Sequence, residues 1–246
     1  MTISLGQSST PRNMRIYAIG DVHGHLQLLL EIHQNIRNDL ISNPTEEYKI
    51  VFLGDYIDRG PDSAGCVQFL IDLKAEDEHI ICLQGNHEDK LEKFLINPLK
   101  VADSFLTYGG VECAKSYNVD IAIYPMEKDK VKARDELEEN ILPEHKQFYA
   151  ELVKSVAFGD YFFAHAGVRP GVPLSEQSDD DLIWIRSEFI SNTALYEKVI
   201  VHGHTPAYPM EILPNRINVD TCAYDTGILS CLVLEGTKYR VIETLL

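Results

Sequence analysis

The sequence predicts an α/β fold built on parallel strands, and three observations carry that reading. An apolar run, a glycine and then polar residues recur in "RIYAIGDVHG", "KIVFLGDYIDRG" and "HIICLQGNHE". Helical patterns separate them, at 26–40 ("LQLLLEIHQNIRNDL") and at 63–75 ("SAGCVQFLIDLKA"), the second with Asp62 or Ser63 as N-cap. The strand runs are apolar without alternation, which marks strands buried on both faces, as in a βαβ core.

Taken in order, residues 1–13 read as a frayed, disordered tail, because "MTISLGQSSTPRN" has no apolar core of signal-peptide type. The three strand–helix units follow. From about residue 97 to 157 the chain turns helical and charged, and "MEKDKVKARDELEEN" reads as a solvated helix or loop within a cap-like insert. Strand runs then resume in "DYFFAHAGV", "KVIVHGHTP", "RINVDT", "GILSCLVLEG" and "KYRVIETLL", the last four suggesting a second, mixed sheet. The expectation is a single domain spanning 1–246.

Composition narrows the function classes. A chain of 246 residues with 45% apolar content can bury a sizeable core. A net charge of -16, from 38 acids against 22 bases, argues against nucleic-acid binding. No stretch approaches the roughly 20 apolar residues of a membrane span. The five cysteines are odd in number and form no CxxC pair, so reduced thiols in a cytoplasm are expected.

Chemistry gathers at the strand ends. Asp21 and His23, two residues apart at the end of a strand, aim to one side. Asp55, Asn86, His87, His165, His202 and His204 hold comparable places. Ligands in open α/β sheets collect where the carboxyl ends of strands meet a crevice, so these residues are expected to converge. Oxygen and imidazole donors without thiolate suit two divalent ions, Mn first, with Fe or Zn also compatible. Asp55 is the natural bridging carboxylate. Asp21 and His23 complete one ion, and Asn86, His165 and one histidine of "HGHT" the other. His87 then stands as proton donor with Asp58 orienting it, and Arg59 and Arg186 face phosphate oxygens. Two ions about 3.5–4 Å apart suit phosphate ester hydrolysis.

Each residue also has a plainer reading. "DRGP" is good turn chemistry. Arg186 can stack on Trp184 or pair with Asp179, Asp180 or Asp181. Glu88 reads as a first-turn helix acid. The Asp-Thr pairs at Asp220 and Asp225 lie in one short segment and cannot supply two protease lobes. His25, His33, His79 and His145 have no partner spacing and read as surface or core. A noncatalytic metal-binding scaffold would be expected to lack His87 or an arginine, and neither is missing.

Together "GDVHG", "GDYIDRG", "GNHE", the histidine of "HAGV" and "HGHT" resemble the phosphoprotein phosphatase family of serine/threonine phosphatases, in its short bacterial and phage form, within the calcineurin-like metallophosphoesterases. The resemblance implies a four-layer sandwich of two mixed β-sheets flanked by helices. It implies Asp21, His23, Asp55, Asn86, His165 and, within "HGHT", His204 as metal ligands. It implies His87 as general acid with Asp58, Arg59 and Arg186 as phosphate clamps beside Asn86, and Tyr224 at the substrate mouth. The implied activity is hydrolysis of phosphoserine and phosphothreonine monoesters by direct attack of a metal-bridging hydroxide. The segment "INVDTCAYDTGILSCLVLEG" also resembles symmetrical dinucleoside tetraphosphate hydrolases, with Cys222 where glycine is usual. That keeps a small phosphoester substrate as the alternative.

Overall fold

The computed structural model describes residues 2–121 and 129–244. The chain runs β1 (Met14–Ile19), α1 (Leu26–Ser42), β2 (Glu47–Phe52), α2 (Ser63–Glu76), β3 (Ile80–Cys82) and α3 (Asn86–Ile96). Next come α4 (Pro98–Phe105), α5 (Val111–Ser116), α6 (Lys130–Asn140), α7 (Pro143–Ala150), β4 (Ser155–Phe158) and β5 (Tyr161–Ala164). It continues with α8 (Asp179–Trp184), α9 (Ser187–Ile190), β6 (Val199–His202), β7 (Glu211–Ile212), β8 (Arg216–Asn218), α10 (Ala223–Thr226), β9 (Ser230–Glu235) and β10 (Lys238–Glu243).

Two mixed five-stranded sheets result, in the orders β10-β9-β1-β2-β3 and β4-β5-β6-β8-β7. β1, β2 and β3 are parallel, as are β5, β6 and β8. Along β1, Tyr17 and Ile19 turn toward α1, α2 and α3, while Ile16 and Ala18 turn toward the second sheet, where they meet Phe163, Val201 and Ile217. Both faces of the strand are therefore covered, which explains its unbroken apolar run. A third apolar cluster, including Ala164, Ile200, Leu182 and Phe189, lies under α8 and α9 and completes four layers. Asp62 is the N-cap of α2, its Oδ1 accepting from Gly65 N at 2.8 Å.

Three sequence expectations change. "GILSCLVLEG" and "KYRVIETLL" supply β9 and β10 of the first sheet, and "DYFFAHAGV" supplies β5 of the second. β9 returns antiparallel beside β1, and Leu232 and Leu234 fill the space between the sheets. Apolar periodicity states which face is buried and leaves the partner strand open. Residues 2–13 are not frayed: Leu5–Gln7 forms a short 3-10 turn. Ile3 N donates to Tyr196 O at 2.9 Å, and buried Ser8 donates to Tyr161 Oη at 2.9 Å.

The 97–157 stretch, expected as a helical, cap-like insert, is helical over most of its described length. Its last residues open β4, and α4 to α7 pack on α2 and α3. Phe105, Cys113, Leu137 and Phe148 extend the core on the helical face of the first sheet. His145 lies in a buried network, its Nδ1 2.9 Å from Tyr117 Oη and its Nε2 3.0 Å from Gln68 Oε1. Residues 126–128 of the charged stretch and 245–246 of the final strand run lie outside the described residues.

Candidate active site

The parallel strands of both sheets release their carboxyl ends on the same side, and each is followed by the polar residues read from the sequence. Very short turns make this possible. Eight non-glycine residues among those described have positive φ, and six of them are His23, Asp55, Asp58, Arg59, His204 and Cys222; the other two are asparagines. Left-handed backbone at such residues costs about 1–2 kcal/mol each, so its concentration here marks a site rather than a scaffold. Two glycines permit close approach: a Cβ on Gly85 would lie 2.1 Å from Asp55 Oδ1, and one on Gly203 would lie 2.1 Å from Asp21 Oδ1.

Two buried donor sets share Asp55. His23, Asp55 and His87 form one, and Asp55, His165 and His204 the other, the ligand atoms within each lying within 4.8 Å of one another. His23 directs Nδ1 to Ile57 O at 3.0 Å and His165 directs Nδ1 to Leu53 O at 2.9 Å. Both therefore turn Nε2 toward Asp55, at 3.7 and 3.4 Å. Asn86 Oδ1 lies 2.9 Å from His165 Nε2 and 2.6 Å from His204 Nδ1, which places it beside the second set.

The charges in this cleft call for cations. Burial pushes Asp21 well above the usual carboxylate range and Asp220 up to about 6, with repulsion among Asp21, Asp55 and Asp220 adding to it. Burial works against the Asp55 carboxylate as well, but the imidazoles of His165, His87 and His23 outweigh it and hold Asp55 well below that range. Burial lowers His204 to about 2, keeping its ring neutral and able to coordinate. Carboxylate, imidazole and amide oxygen donors in this state fit a borderline divalent metal ion.

His87 Nδ1 is 2.5 Å from Asp58 Oδ2, and its Nε2, 3.8 Å from Asp55 Oδ2, brings the ring into the first donor set, where the sequence marks it only as a proton donor. Burial lowers His87 to about 4 and raises Asp58. When the pair holds two protons, either placement of the shared one leaves Nε2–H facing the cleft. Asp21 is outside both donor sets, its carboxylate accepting from His204 N at 3.0 Å. His202 turns away, with Nε2 3.4 Å from Arg216 Nη1.

The Arg59 guanidinium lies 4.1 Å above the Tyr224 ring, and its Nη2 is 3.5 Å from His87 Nε2. Arg186 Nη2 donates to His204 O at 3.0 Å, while Asp181 is taken by Arg169. These groups line a cleft of about 500 Å³ together with Lys90, Tyr108, Trp184 and Asp220.

Sequence reasoning missed the work of Glu88. Wholly buried, its carboxylate accepts from Asp55 N at 3.0 Å, Tyr56 N at 2.8 Å, Ile57 N at 3.3 Å and Gly85 N at 2.9 Å. It therefore latches the turn after β2 to the start of α3. Burial and the nearby Asp55 charge push its pKa up to about 8. Asp220 was missed too, although "RINVDT" repeats the strand-then-acid pattern. Lys90 and Tyr108 carried no signal.

A four-layer sandwich with carboxylate and imidazole donors crowded at its strand ends defines a metallophosphoesterase. The chain belongs to the calcineurin-like phosphoesterase family, whose profile matches residues 14–229. It is similar to the asymmetrical bis(5'-nucleosyl)-tetraphosphatase PrpE of Anoxybacillus flavithermus, 25% identical over 245 residues that cover 92% of this chain and 91% of that one. A 76-residue stretch, 30% of this chain and 19% of the other, is 38% identical to the PP2A-like serine/threonine-protein phosphatase PPG1 of Saccharomyces cerevisiae. A cold-active protein tyrosine phosphatase shares the fold with a TM-score of 0.61 at 16% identity, covering 98% of this chain and 80% of that one. Among the described residues no helix is long and apolar enough to cross a membrane.

Proposed function

We propose that the protein is a dinuclear metallophosphoesterase acting on small soluble phosphoesters, with dinucleoside polyphosphates as the substrate class. The observation that carries this reading is the cleft itself, where Arg59, Lys90 and Arg186 offer positive charge and Tyr108, Trp184 and Tyr224 offer aromatic walls beside the donor sets. A multiply charged substrate bearing rings matches that lining. Similarity to PrpE along nearly the whole chain supports it.

Asp55 would hold both metal ions, with Asp21 and His23 on one side and Asn86, His165 and His204 on the other. Such ions polarise phosphoryl oxygens and acidify water. His87 donates its Nε2 proton to the leaving oxygen while Asp58 fixes the ring through Nδ1. Arg59, braced on Tyr224, and Arg186, tied to the His204 carbonyl, meet the nonbridging oxygens. Manganese is the ion we favour, and the five free thiols support a cytoplasmic setting.

A second reading, hydrolysis of phosphoserine or phosphothreonine in proteins, draws on the Asp58–His87 pair, since an alkoxide leaving group needs a proton more than a phosphate does. Measuring kcat/KM on diadenosine tetraphosphate and on phosphoserine and phosphothreonine peptides, with manganese, zinc or iron supplied, tests the choice. The nucleotide is expected to lead by roughly 100-fold, the scale of a few charged contacts. A lead for the peptides would overturn the proposal in favour of the second reading.

A further inference from the structure

One cation in the cleft makes no direct polar contact among the described residues. Lys90 is 4% exposed, yet its ammonium makes no ion pair or hydrogen bond among the described residues. Its neighbours are ring faces, with Nζ 4.3 Å from the Tyr108 ring centroid and 5.4 Å from that of Trp184. The adjacent carboxylate, Asp89, is occupied: it accepts from Trp184 Nε1 at 2.8 Å and pairs with Lys93 at 2.6 Å. Asp58 is engaged with His87, and Asp55 belongs to the donor sets. Asp58, Asp55 and Asp89 act on this ammonium through space only, and ring faces recover only part of what a charge loses on leaving water. Lys90 lines the same cleft as Arg59, Arg186 and the donor sets, so an anionic ligand in that cleft can supply the direct partner it lacks.

We infer that Lys90, walled by Tyr108 and Trp184, is a subsite for a second phosphate, the one next to the phosphate under attack in a phosphoanhydride chain. Arg59 and Arg186 flank the first phosphate, and Lys90 receives its neighbour. The ligand class is an oligophosphate chain, free or carried by a nucleoside. A phosphopeptide has no second phosphate to place there. This deepens the proposed function and rests on its placement of the reacting phosphate.

Trp184 is the only tryptophan of the chain, so its fluorescence reports on this wall. Titrations use the metal-loaded protein with α,β-methylene-ADP against AMP, and with methylenediphosphonate against inorganic phosphate, at fixed excess divalent ion. The diphosphate of each pair is expected to bind roughly 10-fold more tightly than its monophosphate, the worth of one charge-assisted contact. Lys90→Met should erase that ratio, and Lys90→Arg should keep it. A preference in both pairs supports a subsite that reads the chain alone, and a preference in the nucleotide pair alone supports one that reads a nucleotide. Equal binding within both pairs by the wild type, or an undiminished ratio in Lys90→Met, would overturn the subsite. Because these are binding measurements, a protein that shows the preference but does not cleave diadenosine tetraphosphate would refute the proposed substrate and leave the subsite standing.

Discussion

The first sheet brings His23, Asp55 and Asn86 to the cleft on tight turns, His23 and Asp55 in left-handed backbone, and closes them with the Glu88 carboxylate. The second sheet contributes His165 and His204 at the ends of adjacent parallel strands. His165 is held from the opposite sheet, through the Leu53 carbonyl. One half of the site is thus a local object, written within about a third of the chain, and the other depends on how the sandwich packs. The lesson is that local hydrogen bonds aim the first group, while the core between the sheets sets the distance of the second.

The most severe way to break this comparison is Asp55→Asn, because Asp55 belongs to both donor sets. Both ions should be lost and kcat/KM should fall by at least about 10⁴-fold, since two ions each supply several kcal/mol. Full metal content by elemental analysis would contradict the shared role. Next, His87→Asn should lower kcat by roughly 10²- to 10⁴-fold with both ions retained, whereas His204→Asn should lose one ion. If His87→Asn also loses an ion, His87 is a ligand of the first set and its acid role falls.

Glu88→Gln strikes the local half alone. An amide nitrogen must then face backbone donors, leaving some unsatisfied, at about 3 kcal/mol or roughly 6–12 °C in Tm. An unchanged melting curve would show that the latch is dispensable. The smallest effect comes from chelation. Glu88, at about 8, and Asp21, well above its usual value, have folded pKa values raised by burial. Their stabilisation is complete below the ordinary carboxylate pKa and is lost as pH rises through the folded values. Metal-free protein should therefore lose about 1–2 kcal/mol between pH 7 and 8.5, and excess divalent ion should remove the trend. A flat profile by denaturant titration without metal would show that these acids are not strained.

Much of the local half was legible in the sequence, because buried parallel strands announce themselves by apolar runs and their polar residues follow directly. The assignment of β9 and β10 was not, since pairing with β1 is a long-range choice that periodicity does not encode. Glu88 was read as a helix-start acid, and it is one; that the same carboxylate also collects three amides from another turn depends on tertiary approach. The helices between β3 and β4 looked solvated because α6 buries little beyond Ala133 and Leu137, while their neighbours carry the apolar contacts.

The left-handed residues around the cleft also bear on how the protein can be engineered. Each carries conformational strain that the donor geometry justifies at His23, Asp55 and His204, and that contact with His87 justifies at Asp58 and Arg59. Cys222 is the exception: its φ of 61° serves the start of α10, and its side chain neither belongs to a donor set nor touches His87. Cys222→Gly should relax that strain and raise Tm by a few degrees, since glycine adopts this backbone freely. The reserve of stability available to a designer thus lies at the rim of the reaction centre, in a turn that can be softened without moving a ligand.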